Sequence, residues 1–204
     1  MKRYVIIAGV NGAGKSTMYG MRRDLQQLPR INTDEILKSF GDWRSTADLM
    51  KAGKMAVSRL NEYLKNEVSF NQETTLCGKG IVRNIQRAKQ SGYTVELHFV
   101  GLDDAETAKA RVAYRVAHGG HGIPEKDIEK RYVESFENLK KVLPLCDLAV
   151  LYDNTVRFRR FAIYRNGSLV RLSHTVPQWY ERVNGVGNAD RESGSSDDMK
   201  NAGV

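Results

Sequence analysis

The sequence predicts an α/β fold, a three-layer sandwich with a mostly parallel central sheet and a C-terminal β-hairpin. Three observations lead there. Strand-like and helix-like segments alternate, which implies parallel strands joined by helical crossovers on both faces. Residues 3–8 form a Tyr/Val/Ile run that feeds a glycine-rich turn and then a helix. Asn166-Gly167 separates two β-forming runs, 161–165 and 168–172, as a two-residue hairpin turn does.

In chain order, a helix over 15–27 follows the first strand and stops near Pro29. Residues 30–33 form a short second strand, and helices follow at 35–40 and 46–66. In the longer one Leu49, Ala52, Met55, Ala56, Leu60, Tyr63 and Leu64 recur at helical spacing. Residues 68–74 read as a third strand, and 81–90 as a helix closed by Ser91-Gly92. Residues 93–102 alternate and are rich in β formers, giving a fourth strand. Asp103-Asp104 starts a basic helix that ends at Gly119-Gly120. Pro124 opens the next, with Glu125 and Asp127 in its first turn, where acids suit the helix dipole. Residues 147–152 form a fifth strand before the hairpin. Residues 1–184 make up the expected domain, with a lid region at 111–131, and the Gly/Asn/Ser/Asp-rich segment 185–204 is expected to be disordered.

Composition bounds the function. The chain has 204 residues, enough for one self-sufficient core. Its longest apolar run, residues 5–10, is too short to span a bilayer, and no signal-peptide pattern follows the basic start. The expected location is cytoplasmic, with no membrane partner. Cys77 and Cys146 give neither a disulfide framework nor a zinc spacing. A net charge of +8 suits either nucleic acid or a phosphorylated substrate, and no aromatic–basic stacking platform supports the first.

The segment Gly9-Val10-Asn11-Gly12-Ala13-Gly14-Lys15-Ser16, followed by Thr17, carries the chemistry. Phosphate oxygens need several donors at close range. Glycines at 9, 12 and 14 let the backbone turn tightly and present its N–H groups around Ala13. Lys15 reaches the β and γ phosphates, and the Ser16 hydroxyl holds Mg²⁺. This strand–loop–helix arrangement is the phosphate-binding P-loop, so the fold is P-loop NTPase/kinase-like. The order of glycines disfavours the dinucleotide fingerprint, and no guanine-reading Asn-Lys-x-Asp is present.

Asp34 follows the second strand at the sheet's carboxyl edge, where ligands bind in open α/β sheets. It is the candidate base for a hydroxyl acceptor, set against the plainer role of a helix N-cap or first-turn acid. Glu73 ends the third strand at the same edge and can hold an acceptor hydroxyl or a magnesium-bound water; Thr74 and Thr75 can donate to the acceptor. Arg111, Arg115 and Arg131 flank Gly119-Gly120-His121-Gly122, and the glycines suggest hinge freedom for a lid over ATP. His118 and His121 lack the companions a metal site needs.

Together these residues resemble the zeta toxin family of P-loop kinases, in its short, single-domain, zeta-like ATPase branch. The matching pieces are the P-loop, Asn32-Thr33-Asp34, Glu73-Thr74-Thr75-Leu76, and residues 115–124 with their Gly119-Gly120-His121 core. Arg131-Tyr132 and Leu151-Tyr152-Asp153-Asn154 complete the series. The resemblance implies phosphorylation of the 3′-hydroxyl of UDP-N-acetylglucosamine or a related UDP-amino sugar, with ATP or GTP and Mg²⁺ as donor. It implies Lys15 and Asp34 as P-loop lysine and base, Glu73 and the neighbouring Thr74, Thr75 and His121 on the acceptor side, and a small helical antitoxin as partner. Zeta toxins carry two lid arginines, and Arg111, Arg115 and Arg131 compete for those places. A nucleic-acid end kinase and a nucleotide-binding toxin–antitoxin component without kinase activity are the alternatives.

Overall fold

The computed structural model describes residues 1–184; the expected disorder of 185–204 lies outside the described residues. Strand β1 (Arg3–Ala8) leads through the glycine loop into α1 (Lys15–Gly20) and α2 (Arg23–Gln26). Next come β2 (Arg30–Asn32), α3 (Thr33–Lys38), α4 (Thr46–Lys65), β3 (Phe70–Thr74), α5 (Gly80–Gln90) and β4 (Thr94–Gly101). Helices α6 (Ala105–Ala117) and α7 (Glu125–Val142) precede β5 (Leu148–Asp153), β6 (Arg159–Arg165), β7 (Ser168–Leu172) and α8 (Gln178–Asn184).

The seven strands form one sheet in the order β2-β3-β1-β4-β5-β6-β7. The first five are parallel, while β6 and β7 run antiparallel at one edge. The chain runs from β1 to β2 on one side and later from β3 past β1 to β4 on the other, and at such a switch a crevice opens at the carboxyl ends of the strands. Alternation along β1 divides the core. Tyr4, Ile6 and Ala8 face one layer, with α4, α5 and much of α7 over them. Val5 and Ile7 face the other, under Met18, Leu25, Ala108 and Val112 of α1, α2 and α6. In α4 the buried residues are Ala52, Ala56, Leu60 and Leu64, one every fourth position.

Two expectations are corrected. The helix expected over 15–27 is two helices, because Arg22 leaves helical geometry (φ −111°, ψ 85°) and its guanidinium pairs with Asp24 at 2.8 Å. Helix α8 was not expected at all. Its Trp179 is 1% exposed and lies flat on Gly101, where an added Cβ would come within 2.3 Å of the indole. The hairpin forms with Asn166 and Gly167 both at positive φ (47° and 76°), as a type I′ turn requires.

Candidate active site

The glycine loop is built from close approaches. Gly9 (φ +139°), Gly12 (φ +80°) and Gly14 (φ +99°) hold conformations that L side chains rarely adopt. A Cβ at Gly12 would meet the Ala108 carbonyl at 2.7 Å, and one at Gly14 would meet the Asn154 amide at 2.5 Å. Asn154 Nδ2 also donates to Ala13 O at 2.9 Å, tying the end of β5 to the loop. Ala13 N donates to Val10 O at 3.1 Å and closes the turn. Gly14 precedes α1 without a side-chain cap, so no protein oxygen of its own competes for the first N–H groups.

Lys15 is buried, and its Nζ donates to Val10 O at 3.1 Å. Burial lowers its pKa from the ordinary lysine value. Glu73 and Asp34 pull it back up, and Arg115 and Arg131 push it further down. Both acids and two of the arginines thus act on the charge of the lysine. Ser16 and Thr17 are exposed beside it.

Parallel pairing of β2 with β3 sets Asn32 opposite Glu73. This brings together acids that are far apart in the chain. Glu73 accepts from Ser16 Oγ at 3.3 Å. A hydroxyl and a carboxylate are hard-oxygen donors of the kind Mg²⁺ takes, so the residues fit that ion. Asn32 caps α3, accepting from Asp34 N at 2.9 Å and Glu35 N at 3.3 Å. Asn32 thus fills the capping role, and Asp34 lies in the first turn of α3, as the plainer reading expected, with its carboxylate 44% exposed. His121 Nε2 stands 3.6 Å from Asp34 Oδ1. Thr74 Oγ1 accepts from Leu76 N at 3.1 Å, and Thr75 O accepts from the Cys77 thiol at 3.4 Å.

The three arginines differ. Arg111 donates to Thr155 O at 3.0 Å and Gly12 O at 3.5 Å, which ties the loop to the segment after β5. Arg131 reaches Asn11 Oδ1 at 3.3 Å. Arg115 has Nε and Nη2 buried with no partner. An unpaired buried guanidinium is costly, and an anion beside Lys15 would satisfy it. His118 stacks on Tyr114, away from His121, and no metal-binding cluster of His, Cys, Asp or Glu occurs among the described residues.

Several residues beside these were not singled out from sequence. Arg30 pairs with Glu73 at 2.5 Å and Glu35 at 3.3 Å, with its guanidinium 3.6 Å from the Tyr19 ring centroid. Leu76 holds a positive φ of 62°, and Asn138 Nδ2 pins that turn by donating to Leu76 O at 2.8 Å and Gly78 O at 3.2 Å. Replacing Arg30 with Met is expected to destabilise the protein by about 3 kcal/mol in urea, because it strands a buried carboxylate. An unchanged midpoint would mean that Lys15 alone compensates Glu73.

A family model described as zeta toxin matches residues 2–172. An uncharacterized protein of Haemophilus influenzae is 31% identical over 128 residues, covering 63% of this chain and 91% of its own length. Among solved structures, the AvrRxo1-ORF1:-ORF2 complex with ATP superposes with a TM-score of 0.67 at 14% identity, over 90% of this chain and 63% of that one. The present chain thus spans less than two thirds of that relative. The structure reported for the PezAT chromosomal toxin–antitoxin system of Streptococcus pneumoniae gives a TM-score of 0.57 at 17% identity, over 91% and 84%. Such identities speak to the fold, which is that of P-loop kinases. The family model spans most of the sequence and includes the loop, both acids and all three arginines, and the chain belongs to the zeta toxin family.

Proposed function

We propose that the protein transfers the γ-phosphoryl group of ATP or GTP to a hydroxyl of a UDP-amino sugar such as UDP-N-acetylglucosamine. The observation that carries this reading is the glycine loop with buried Lys15, where Ser16 meets Glu73 at 3.3 Å, Arg131 reaches Asn11 at 3.3 Å and two buried Arg115 nitrogens lack a protein partner. The loop N–H groups, Lys15 and Thr17 hold the phosphates. Ser16 and Glu73 would hold Mg²⁺, which supplies charge neutralisation at the β and γ oxygens when bound. Asp34 accepts the acceptor's hydroxyl proton. The freed oxygen bonds to the γ-phosphorus as the bond to the β-phosphate oxygen breaks, and ADP or GDP leaves. Arg115 and Arg131 meet the charge on the transferring group. Thr74 and Thr75 line the acceptor side, where His121 stands against Asp34, and Arg111 braces the nucleotide side.

Residues 1–184 act as one kinase domain in this reading. The place of action is the cytoplasm; no described helix is long and apolar enough to cross a membrane. The partner is a small helical antitoxin, a reading supported by the toxin–antitoxin system of the Streptococcus pneumoniae relative. Incubation with γ-labelled ATP and a panel of UDP-sugars tests the acceptor. Labelled UDP-N-acetylglucosamine is expected. Label on an oligonucleotide instead would point to an end kinase, and nucleotide binding with no acceptor would remove the substrate reading.

A further inference from the structure

We propose that His121 is a positioning residue for Asp34, held against that carboxylate by the close-packed glycines on either side of it. The inference rests on the reading of Asp34 as base and adds the device that fixes it.

The segment between α6 and α7 has no regular secondary structure, yet it is not slack. Gly119, at φ +79°, reverses the chain, and an added Cβ there would meet nothing within 4 Å. The reversal lets Gly120 N donate to Arg115 O at 2.9 Å. The next two glycines serve contact. A Cβ at Gly120 would lie 2.5 Å from Arg115 Cγ and 2.9 Å from Arg115 O. One at Gly122 would lie 2.7 Å from the Trp43 ring and 3.0 Å from Val116 Cγ2. Hinge freedom would leave open space at these positions. Instead, His121 is anchored on one side to α6 and on the other to Trp43, in the connection between α3 and α4.

The imidazole is walled in. Its side chain is 10% exposed against 44% for Asp34. The Trp43 ring meets it edge-on at 5.9 Å. The charged groups around it come from three elements: Asp34 and Lys38 on α3, Arg115 on α6 and Arg131 on α7. Burial is the largest influence and pushes the histidine below its ordinary value. Asp34 pulls it up, and Arg115, Lys38 and Arg131 push it further down. Nε2 is the ring nitrogen that faces Asp34 Oδ1, so a proton held there points at that carboxylate. The 3.6 Å separation is long for a hydrogen bond. So little exposed surface suits a residue acting through Asp34 better than one gripping a ligand.

The test uses the full chain labelled with ¹⁵N at histidine, the His121 signals being assigned by their loss in His121→Gln. Neutral His121 is expected to carry its proton on Nε2, and its titration midpoint is expected to fall in Asp34→Asn. Exposed His174 serves as the reference that stays still. Gly122→Ala is expected to shift His121 in the same way, through displacement of the backbone. An unmoved midpoint in Asp34→Asn would overturn the proposal. With γ-labelled ATP and UDP-N-acetylglucosamine, His121→Ala is expected to lower kcat roughly 10- to 100-fold at unchanged acceptor KM, with partial rescue by His121→Gln. A raised KM with intact kcat would make His121 a substrate ligand instead and also overturn it. If the wild type transfers nothing to that sugar, the acceptor reading fails by itself, and the midpoint in Asp34→Asn decides the role of His121.

Discussion

Replacing Gly9 with alanine is expected to cost at least about 3 kcal/mol of stability, the sum of backbone strain and overpacking. Gly9 sits at φ +139°, outside the range of L side chains. An added Cβ would lie 2.2 Å from the Val100 carbonyl oxygen and 3.4 Å from Ala13 Cβ. Val100 belongs to β4, paired on both sides within the sheet, so neither backbone can yield cheaply. A chain of this size should lose roughly 6–12 °C in Tm. Gly53→Ala is the matched control. Gly53 lies inside α4 with nothing within 4 Å of an added Cβ, and the same change there is expected to stabilise by about 0.5–1 kcal/mol. Thermal melts followed by circular dichroism read both. A Gly9→Ala protein that melts with the wild type would mean that the loop does not lean on β4.

Lys15→Met is expected to separate activity from stability. Phosphoryl transfer should fall about 10²–10³-fold, the usual effect of removing one group that meets charge developing in the transition state. The fold should keep or raise its Tm. The Lys15 ammonium is buried and donates to the Val10 carbonyl, and burial already disfavours its charge. An apolar side chain of similar length removes that cost, and Glu73 keeps its ion pair with Arg30. Such a pairing, stable but inactive, is what a residue held for a phosphate should give. Transfer of γ-label and the melting temperature check it together. A large loss of stability with transfer intact would make Lys15 a structural residue.

Local structure was readable in the sequence wherever neighbours in the chain decide the outcome. The β1–loop–α1 unit is legible because its glycines, lysine and serine act within eight positions. The hairpin is legible because Asn166-Gly167 alone sets its turn. Strand β4 is legible from its alternation, and α4 from its four-residue spacing. Helix α8 was missed because seven residues hold barely two turns, too few for a period to show. Its Trp179 is fixed by distant partners, donating to Asp103 Oδ1 through its backbone and to Asp153 Oδ1 through its indole.

The same division runs through the site. Asp34 and Glu73 were placed by the general rule that ligands gather at strand ends, yet their proximity depends on the β2–β3 register. Arg30, Asn138 and Trp43 were out of reach, since each acts on a segment that only the folded sheet brings near. The glycines around His121 were read as freedom because glycine in a connection usually means that. Only the neighbours of their absent side chains reveal close packing at Gly120 and Gly122.

The central claim is that the Lys15 loop and Asp34 form one phosphoryl-transfer site. It is tested most directly by wild type and Asp34→Asn assayed side by side, for transfer of γ-label from ATP to UDP-N-acetylglucosamine and for ATP affinity. Transfer lowered about 10²–10⁴-fold with ATP affinity retained is expected, as loss of a general base requires. Transfer at the wild-type rate in Asp34→Asn would contradict it.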